Sequence, residues 1–136
     1  MTPTFPDEAD AWADRLRRSV NDREAFRTAA AGFEATFRFE VLPDDAYPGE
    51  PVALTLVVDD GACTAAGTGR EAGYDFALRG PYGAWTDLLG GDVDATAAVM
   101  DGPFDIEGST IQLMQRREAI AALLDAAWAV DVEFAY

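Results

Sequence analysis

Residues 35–41 read ATFRFEV, and their alternation of polarity sets the expected architecture. Phe37 and Phe39 fall on one face of an extended chain, whereas Arg38 and Glu40 fall on the other. A period of two residues is typical of a β-strand that is half-buried, with its apolar face against a core. We therefore expect a strand here whose aromatic face is covered by other parts of the chain.

The same alternation recurs downstream and predicts three further strands, at residues 52–58, 62–66 and 74–79. Asp59-Asp60-Gly61 is a hairpin signal, because Asp and Gly accept the backbone angles of a tight turn. Gly67-Thr68-Gly69 is expected to end the third strand. Residues 35–79 thus predict a four-strand meander, and residues 104–108 predict a fifth strand.

Helical patterns flank these strands. In residues 1–33, one apolar stripe recurs at steps of three and four residues, formed by Ala9, Trp12, Leu16 and Val20. Asn21 and Glu24 are expected to cap a second short helix that stops at Gly32. Two short helices are expected in residues 82–100, and Ser109 with Gln112 forms a capping box for one long helix over residues 109–128.

The order of these elements favours an α+β fold in a single domain of 136 residues. We expect a five-stranded, mostly antiparallel sheet with helices packed on one face. The tail, residues 129–136, alternates once more and is expected to form a short edge strand or an ordered extension over the sheet.

Several residue types that carry chemistry are missing. The chain has no histidine, all ten of its basic residues are arginine, and Cys63 is its single cysteine. These absences exclude a Ser-His-Asp triad, an imidazole metal ligand and a lysine Schiff base. Cys63 is interpreted as a small core residue, and the paired acids Asp44-Asp45 and Asp59-Asp60 as solvated turns. No catalytic residue, metal ligand or cofactor site is predicted.

The charge restricts the partners. Twenty-five acidic residues against ten basic ones give a formal net charge of −15. Such a surface repels nucleic acid and anionic bilayers. No targeting segment and no run long enough to span a bilayer is visible, so a cytoplasmic location is expected. An acidic surface with arginine but no lysine suggests a salt-rich cytoplasm; an ordinary acidic protein from a GC-rich genome is the alternative.

Residues 97–108, AAVMDGPFDIEG, resemble the sterol carrier protein type-2 family, whose members have a helix ending in Met and Gly and then a strand closed by Gly. Residues 85–91, WTDLLGG, are similar to the segment that leads into that helix. The resemblance implies an apolar cavity between sheet and helices that accepts sterols, fatty acids or acyl chains without a cofactor. Acids at positions 101, 105 and 107 stand where relatives often carry lysines, so the resemblance does not extend to a basic, membrane-approaching face.

Ten apolar residues are the candidates for the wall of such a cavity. Four lie on predicted strands: Phe39, Leu56, Phe76 and Ile106. Six lie on the predicted helices that the resemblance places over the sheet: Trp85, Leu89, Met100, Met114, Leu124 and Trp128. An apolar stripe more often packs a core than contacts a ligand, so each strand residue is also a candidate for plain packing.

Three functions remain open. The first is non-catalytic binding or transport of a lipid, acyl chain or isoprenoid, with sterol less expected in a salt-adapted cell. The second is a protein-interaction module with a filled core, in which Phe134 and Tyr136 of the tail bind a partner or a second copy in a homodimer. The third is a carboxylate-based enzyme acting on an apolar substrate, which ranks last.

The excess of negative charge predicts a stability that depends on salt. At 1 M salt the Debye length is only about 3 Å, so crowded carboxylates no longer repel one another. We expect the domain to loosen or unfold as salt is lowered from molar to millimolar concentration. Thermal melts over that range test this, and a melting temperature indifferent to salt would contradict it.

Overall fold

The computed structural model describes residues 4–5, 7–68, 73–90, 104–130 and 132–134. The strands in this part of the chain are β1 (Thr4–Phe5), β2 (Glu34–Leu42), β3 (Val52–Asp59), β4 (Ala62–Thr68), β5 (Phe76–Pro81), β6 (Asp105–Glu107) and β7 (Glu133–Phe134). The helices are α1 (Ala9–Asn21), α2 (Glu24–Ala29), α3 (Tyr82–Leu89), α4 (Thr110–Gln115) and α5 (Arg117–Trp128). The helix expected after Gly91, with Met100, lies outside the described residues.

Five strands form the main sheet in the order β4-β3-β2-β5-β6. The pairs β2–β3, β3–β4 and β5–β6 are antiparallel, whereas β2 and β5 are parallel. Helix α1 packs across β4 and β3, and α5 packs against α1 and α2. The predicted α+β fold with a mostly antiparallel five-stranded sheet is confirmed.

The predicted meander is wrong, because the fourth strand of this sheet does not pair with the third. After β4 at one edge the chain crosses to the far side of β2, where β5 runs parallel to it and places Phe37 beside Phe76 and Phe39 beside Leu78. A parallel partner cannot be reached by a hairpin and needs a crossover. The large apolar side chains of β5 bury better beside those of β2 than beside the small residues of β4.

The turn between β3 and β4 forms as the sequence predicts. Asp60 has a φ of 47° and Gly61 a φ of 82°, so two residues in left-handed conformations join Asp59 to Ala62. Strand β4 then continues further than expected. Gly67 pairs with Thr55 within the sheet, and the strand ends at Thr68, two residues beyond the predicted range 62–66 but within the expected terminating segment.

Asp10 explains this extension of β4. Its carboxylate accepts hydrogen bonds from the backbone N–H of Thr68, at 2.9 Å, and from the Thr68 hydroxyl, at 2.8 Å. These bonds hold the end of the strand against the first turn of α1. They also lower the pKa of Asp10, because they stabilise its charged form.

The expected apolar stripe of α1 is buried against the sheet, but Asn21 does not cap α2. Asn21 is the last residue of α1, and its side-chain amide donates to the Cys63 carbonyl at 2.9 Å and accepts from the Cys63 N–H at 2.8 Å. Helix α2 follows Arg23, and no side chain of the described residues caps its start. An amide that can both donate and accept is therefore used to fasten α1 to β4 rather than to start the next helix.

The long C-terminal helix is interrupted at Arg116, contrary to prediction. Ser109 caps α4 by accepting a hydrogen bond from the Gln112 N–H at 3.3 Å, as the capping box predicts. Arg116 then leaves helical geometry, donates to the Ala31 carbonyl at 3.3 Å and lies over the Phe33 ring at 5.2 Å. These contacts attach the break between α4 and α5 to the segment that follows α2.

The polar face of β2 is not solvated as expected. Arg38 and Glu40 are only 9% and 5% exposed, since charged and aromatic side chains cover one another there. Arg79 of β5 donates to Glu40 at 2.8 Å and to Glu107 of β6 at 3.1 Å. The Arg38 guanidinium lies over the Tyr74 ring at 4.6 Å. This chain of ion pairs joins three neighbouring strands on the outer face and lowers the pKa of Glu107, first through its bond to Arg79.

The loop between β2 and β3 is tied to α3 by one carboxylate. Asp44 accepts hydrogen bonds from the N–H groups of Ala46 and Tyr47, both at 2.9 Å, and from the Gly83 N–H at 2.7 Å. Gly83 lies in the first turn of α3, where a negative charge is favoured by the helix dipole. These bonds, with that from Gly83 the strongest, hold the pKa of Asp44 below its ordinary value.

We expect Arg79→Met to destabilise the sheet. The change removes a charged hydrogen-bond partner from the buried Glu40 carboxylate, which typically costs about 2 kcal/mol of unfolding free energy. Chemical denaturation at fixed salt measures the loss. The control is Arg17→Met, which removes a contact with Asp14 that is more exposed than that of Arg79 with Glu40 and should cost less than about 0.5 kcal/mol. Equal effects of the two changes would contradict the role of Arg79.

We expect Asp44 to make stability fall in acid. A lowered folded-state pKa contributes stability that is fully present above the unfolded pKa and is lost as pH falls through the folded value, hence below about pH 4. Melting temperatures at high salt between pH 6 and pH 3 test this against Asp44→Asn, which cannot titrate. The variant should melt lower at neutral pH and lose less on acidification; parallel curves would refute the assignment.

Candidate ligand cavity

An apolar cavity, partly open to solvent, lies between the inner face of the sheet and the helices. The described residues that line it come from strands β2, β5 and β6 and from helices α1, α3, α4 and α5, and every one of them is apolar. They are Trp12, Leu16, Phe37, Phe39, Phe76, Ala77, Leu78, Trp85, Leu88, Leu89, Ile106, Leu113, Ile120, Leu123, Leu124 and Ala127.

Aromatic side chains of β2 and β5 form the floor. The register sets Phe37 beside Phe76, and their rings stack with centroids 5.4 Å apart. Phe37 also stacks on Phe39 at 6.2 Å. Leu78 pairs with Ile106 of β6 and continues the apolar surface to the edge of the sheet. A pleated sheet presents alternate residues to one side, so this floor follows from the alternation in the sequence.

Trp85 of α3 is firmly held on the helical side of the cavity. It is 4% exposed, and its indole N–H donates to the Glu40 carbonyl at 2.9 Å. Its ring packs edge-on against Phe39 at 5.9 Å and against Phe104 at 5.0 Å. Because the N–H of Trp85 is hydrogen-bonded and its ring is packed between two aromatic rings, α3 holds Leu88 and Leu89 over the aromatic side chains of β2 and β5.

The cavity is narrow in this structure. Its volume is about 80 Å³, whereas a single water needs about 10–15 Å³ on the same measure. This space accepts a short segment of hydrocarbon. A long chain requires side chains of the wall to move outward.

The structure brings together six of the ten predicted wall residues, namely Phe39, Phe76, Trp85, Leu89, Ile106 and Leu124. Leu56 is 2% exposed and pairs with Phe37 in the sheet, but it is not among the residues that line the cavity. Met114 is 60% exposed and is not among the residues that line the cavity. Trp128 is 39% exposed, and its N–H donates to the Leu88 carbonyl at 2.6 Å. Met100 lies outside the described residues.

Sequence reasoning missed other wall residues, including Trp12, Leu16, Phe37 and Leu113. Phe37 could have been predicted as a wall residue, because strand alternation places it on the same face as Phe39. Trp12 and Leu16 were recognised as an apolar stripe, yet only the packing of α1 shows that part of this stripe borders a space. Leu113 was also open to prediction, because it lies seven residues before Ile120 and therefore on the same helical face.

The wall carries no titratable side chain in the described part of the chain. Cys63 is buried in β4 as predicted, at 2% exposure, and burial raises the pKa of its thiol to about 11. A thiol of this kind stays protonated at neutral pH and is a poor nucleophile. Within the same described residues, no three acidic or cysteine side chains gather as metal ligands, and no helix is long and apolar enough to cross a bilayer.

Solved structures show the same architecture. A crystal structure of sterol carrier protein 2 is 31% identical to this chain with a TM-score of 0.80, covering 89% of this chain and 96% of the other. A conserved hypothetical protein from Thermus thermophilus, suggested to be a sterol carrier protein, is 30% identical with a TM-score of 0.79, covering 90% of this chain and 87% of the other. The apo form of sterol carrier protein 2 from Yarrowia lipolytica, at 20% identity, covers 85% of this chain and 88% of its own, with a TM-score of 0.54, and shows the fold alone.

No curated protein matches the chain at a significant level. The model of the SCP-2 sterol transfer family matches residues 13–121, which include most of the sheet and of the cavity wall. The chain therefore belongs to the SCP-2 sterol transfer family.

Proposed function

We propose that this protein binds an apolar ligand in the cavity between sheet and helices and carries it through the cytoplasm without changing it. The observation that supports this most directly is the composition of the wall. Strands and helices from distant parts of the sequence converge there, and all their lining side chains are apolar. Protein interiors are normally close-packed, so a space kept open by large aromatic residues favours a binding role.

The wall supports a lipid, an acyl chain or an isoprenoid as the ligand. Phe39, Phe76 and Leu78 offer a flat apolar floor, and the lining described here contains no cation that would hold an anionic headgroup inside. A charged group is costly to bury without a partner. A headgroup with charge is therefore expected to stay at the mouth while the hydrocarbon part enters.

The absence of acid–base groups from the described wall supports a role without catalysis. Proton transfer requires a titratable group within hydrogen-bond reach of the reacting atom. Two carboxylates on the sheet, those of Glu40 and Glu107, lie on its outer face and are engaged with Arg79. The net charge of −15 further disfavours transfer by attachment to an anionic bilayer.

Binding of diphenylhexatriene, a pure hydrocarbon whose fluorescence rises in apolar surroundings, tests this proposal. We expect saturable binding, and we expect Leu124→Trp to weaken it at least tenfold, because a larger side chain occupies part of a cavity of about 80 Å³. Titrations at high salt measure both affinities.

Met114→Trp is the matched control for this experiment. It introduces the same side chain on the neighbouring helix, at a position that is 60% exposed and outside the wall. Its affinity should equal that of the parent protein. Equal loss in both variants, or no saturable binding by the parent, would refute a ligand site in this cavity.

A protein-interaction role is the second candidate. The observation that favours it is the exposure of Ile111 and Met114, at 68% and 60%, on the outer side of α4. Exposed apolar side chains of this size are frequent at protein interfaces. Light scattering at high salt separates the two roles, since this alternative predicts a homodimer or a complex with another protein. In that case Ile111→Glu should dissociate the assembly and leave the affinity for diphenylhexatriene unchanged.

A further inference from the structure

The three tryptophans of the chain differ in how their indole N–H groups are satisfied. Trp85 donates to the Glu40 carbonyl at 2.9 Å, and Trp128 donates to the Leu88 carbonyl at 2.6 Å. The buried Trp12 N–H has no acceptor among the described residues. Buried donors are nearly always paired, so an unpaired indole on the wall of a cavity requires an explanation.

Packing of the ring explains the burial of Trp12 but not its unpaired donor. Trp12 is 3% exposed and its ring lies edge-on to Phe5 at 5.4 Å. Phenylalanine would fill less of this space but would leave no unpaired donor in an apolar interior. The unpaired N–H destabilises the empty protein, which a ligand acceptor would relieve.

We infer that the Trp12 N–H donates a hydrogen bond to an oxygen of the bound ligand. This inference rests on the proposed function, since it assigns the ligand of the same cavity to a chemical class. The other described wall residues offer no polar side-chain group to the ligand, because the Trp85 donor is already bonded to the protein. The ligand that fits is a long apolar molecule with one neutral acceptor, an ester, a ketone or quinone carbonyl, or a hydroxyl.

A neutral oxygen suits this site better than a carboxylate. A single indole N–H cannot compensate the charge of a buried carboxylate, and no arginine belongs to the described lining. The nitrogen is covered while the cavity is narrow. The widening that a long guest requires moves the neighbouring side chains apart and lets the oxygen approach Trp12.

Methyl palmitate and diphenylhexatriene, one with and one without an acceptor, form the test pair, with palmitate as the charged comparison. We expect Trp12→Phe to weaken methyl palmitate binding about five- to tenfold, the usual effect of losing one hydrogen bond. Diphenylhexatriene affinity should stay within about twofold, because a hydrocarbon makes no such bond. The control Trp128→Phe, which removes an indole outside the wall, should leave both affinities unchanged.

Nuclear magnetic resonance of the indole N–H groups reports the bond directly. On addition of methyl palmitate, the Trp12 indole proton should move downfield, while those of Trp85 and Trp128 stay in place. A Trp12 indole proton that stays in place while methyl palmitate saturates the cavity would overturn the inference.

The remaining outcomes separate this inference from the proposed function. If both probes bind the parent and Trp12→Phe affects neither, the cavity is a ligand site but Trp12 does not recognise oxygen, and the inference fails alone. If palmitate binds more tightly than its methyl ester, the neutral class is wrong. If no probe binds, the proposed function fails and the inference with it.

Discussion

The parallel pairing of β2 with β5 determines most of what surrounds the cavity. It sets Phe37 beside Phe76 on the inner face, which makes the floor, and Glu40 beside Arg79 on the outer face, which makes the ion pair. Helix α3 begins at Tyr82, directly after β5 ends at Pro81. Trp85 is therefore delivered back over β2, where its N–H reaches the Glu40 carbonyl. A shift of this register by one residue would exchange the two faces and bury the charges where the phenylalanines lie.

The side chains on the two faces of the sheet are buried in different ways. On the inner face, aromatic and aliphatic side chains are removed from water beneath the helices. On the outer face, Arg38 and Glu40 are nearly as inaccessible, yet each retains a charged or aromatic neighbour. Arg79 bonds Glu40 and Glu107 at once and so links β2 and β6 across β5. A strand of only three residues such as β6 makes few backbone hydrogen bonds, and this side-chain link compensates for its shortness.

The sequence predicted those features that depend on neighbouring residues and missed those that depend on distant ones. Alternation located the strands and placed Phe39 and Phe76 each on the apolar face of its own strand, because the side-chain period of a strand is a local property. The Asp60-Gly61 turn was likewise local. The crossover to β5 was not, since alternation says nothing about which strand lies beside which. Asn21 looked like a helix cap because its true partner, Cys63, is far away in the sequence.

The segment after Ser109 shows that the period of the helix could have chosen between two adjacent apolar residues. Leu113 precedes Ile120 by seven residues, so the two lie on the same face of a helix with 3.6 residues per turn, and both line the cavity. Met114 is turned about 100° from Leu113 and is 60% exposed. The interruption at Arg116 does not alter this choice, since backbone hydrogen bonds from Arg116 to Gln112 and from Ile120 to Arg116 continue across it.

The narrowness of the cavity has an energetic consequence for any guest. Atoms that line an empty space lose dispersion contacts on one side, so a ligand that fills the space restores contacts which the folded chain lacks by itself. Widening the cavity costs free energy, which opposes this gain. The apparent affinity is lowered in proportion to the fraction of ligand-free molecules in which the wall is already open. A ligand therefore binds tightly only if its shape fills the widened cavity, because only then do the new contacts offset the free energy of moving the wall outward.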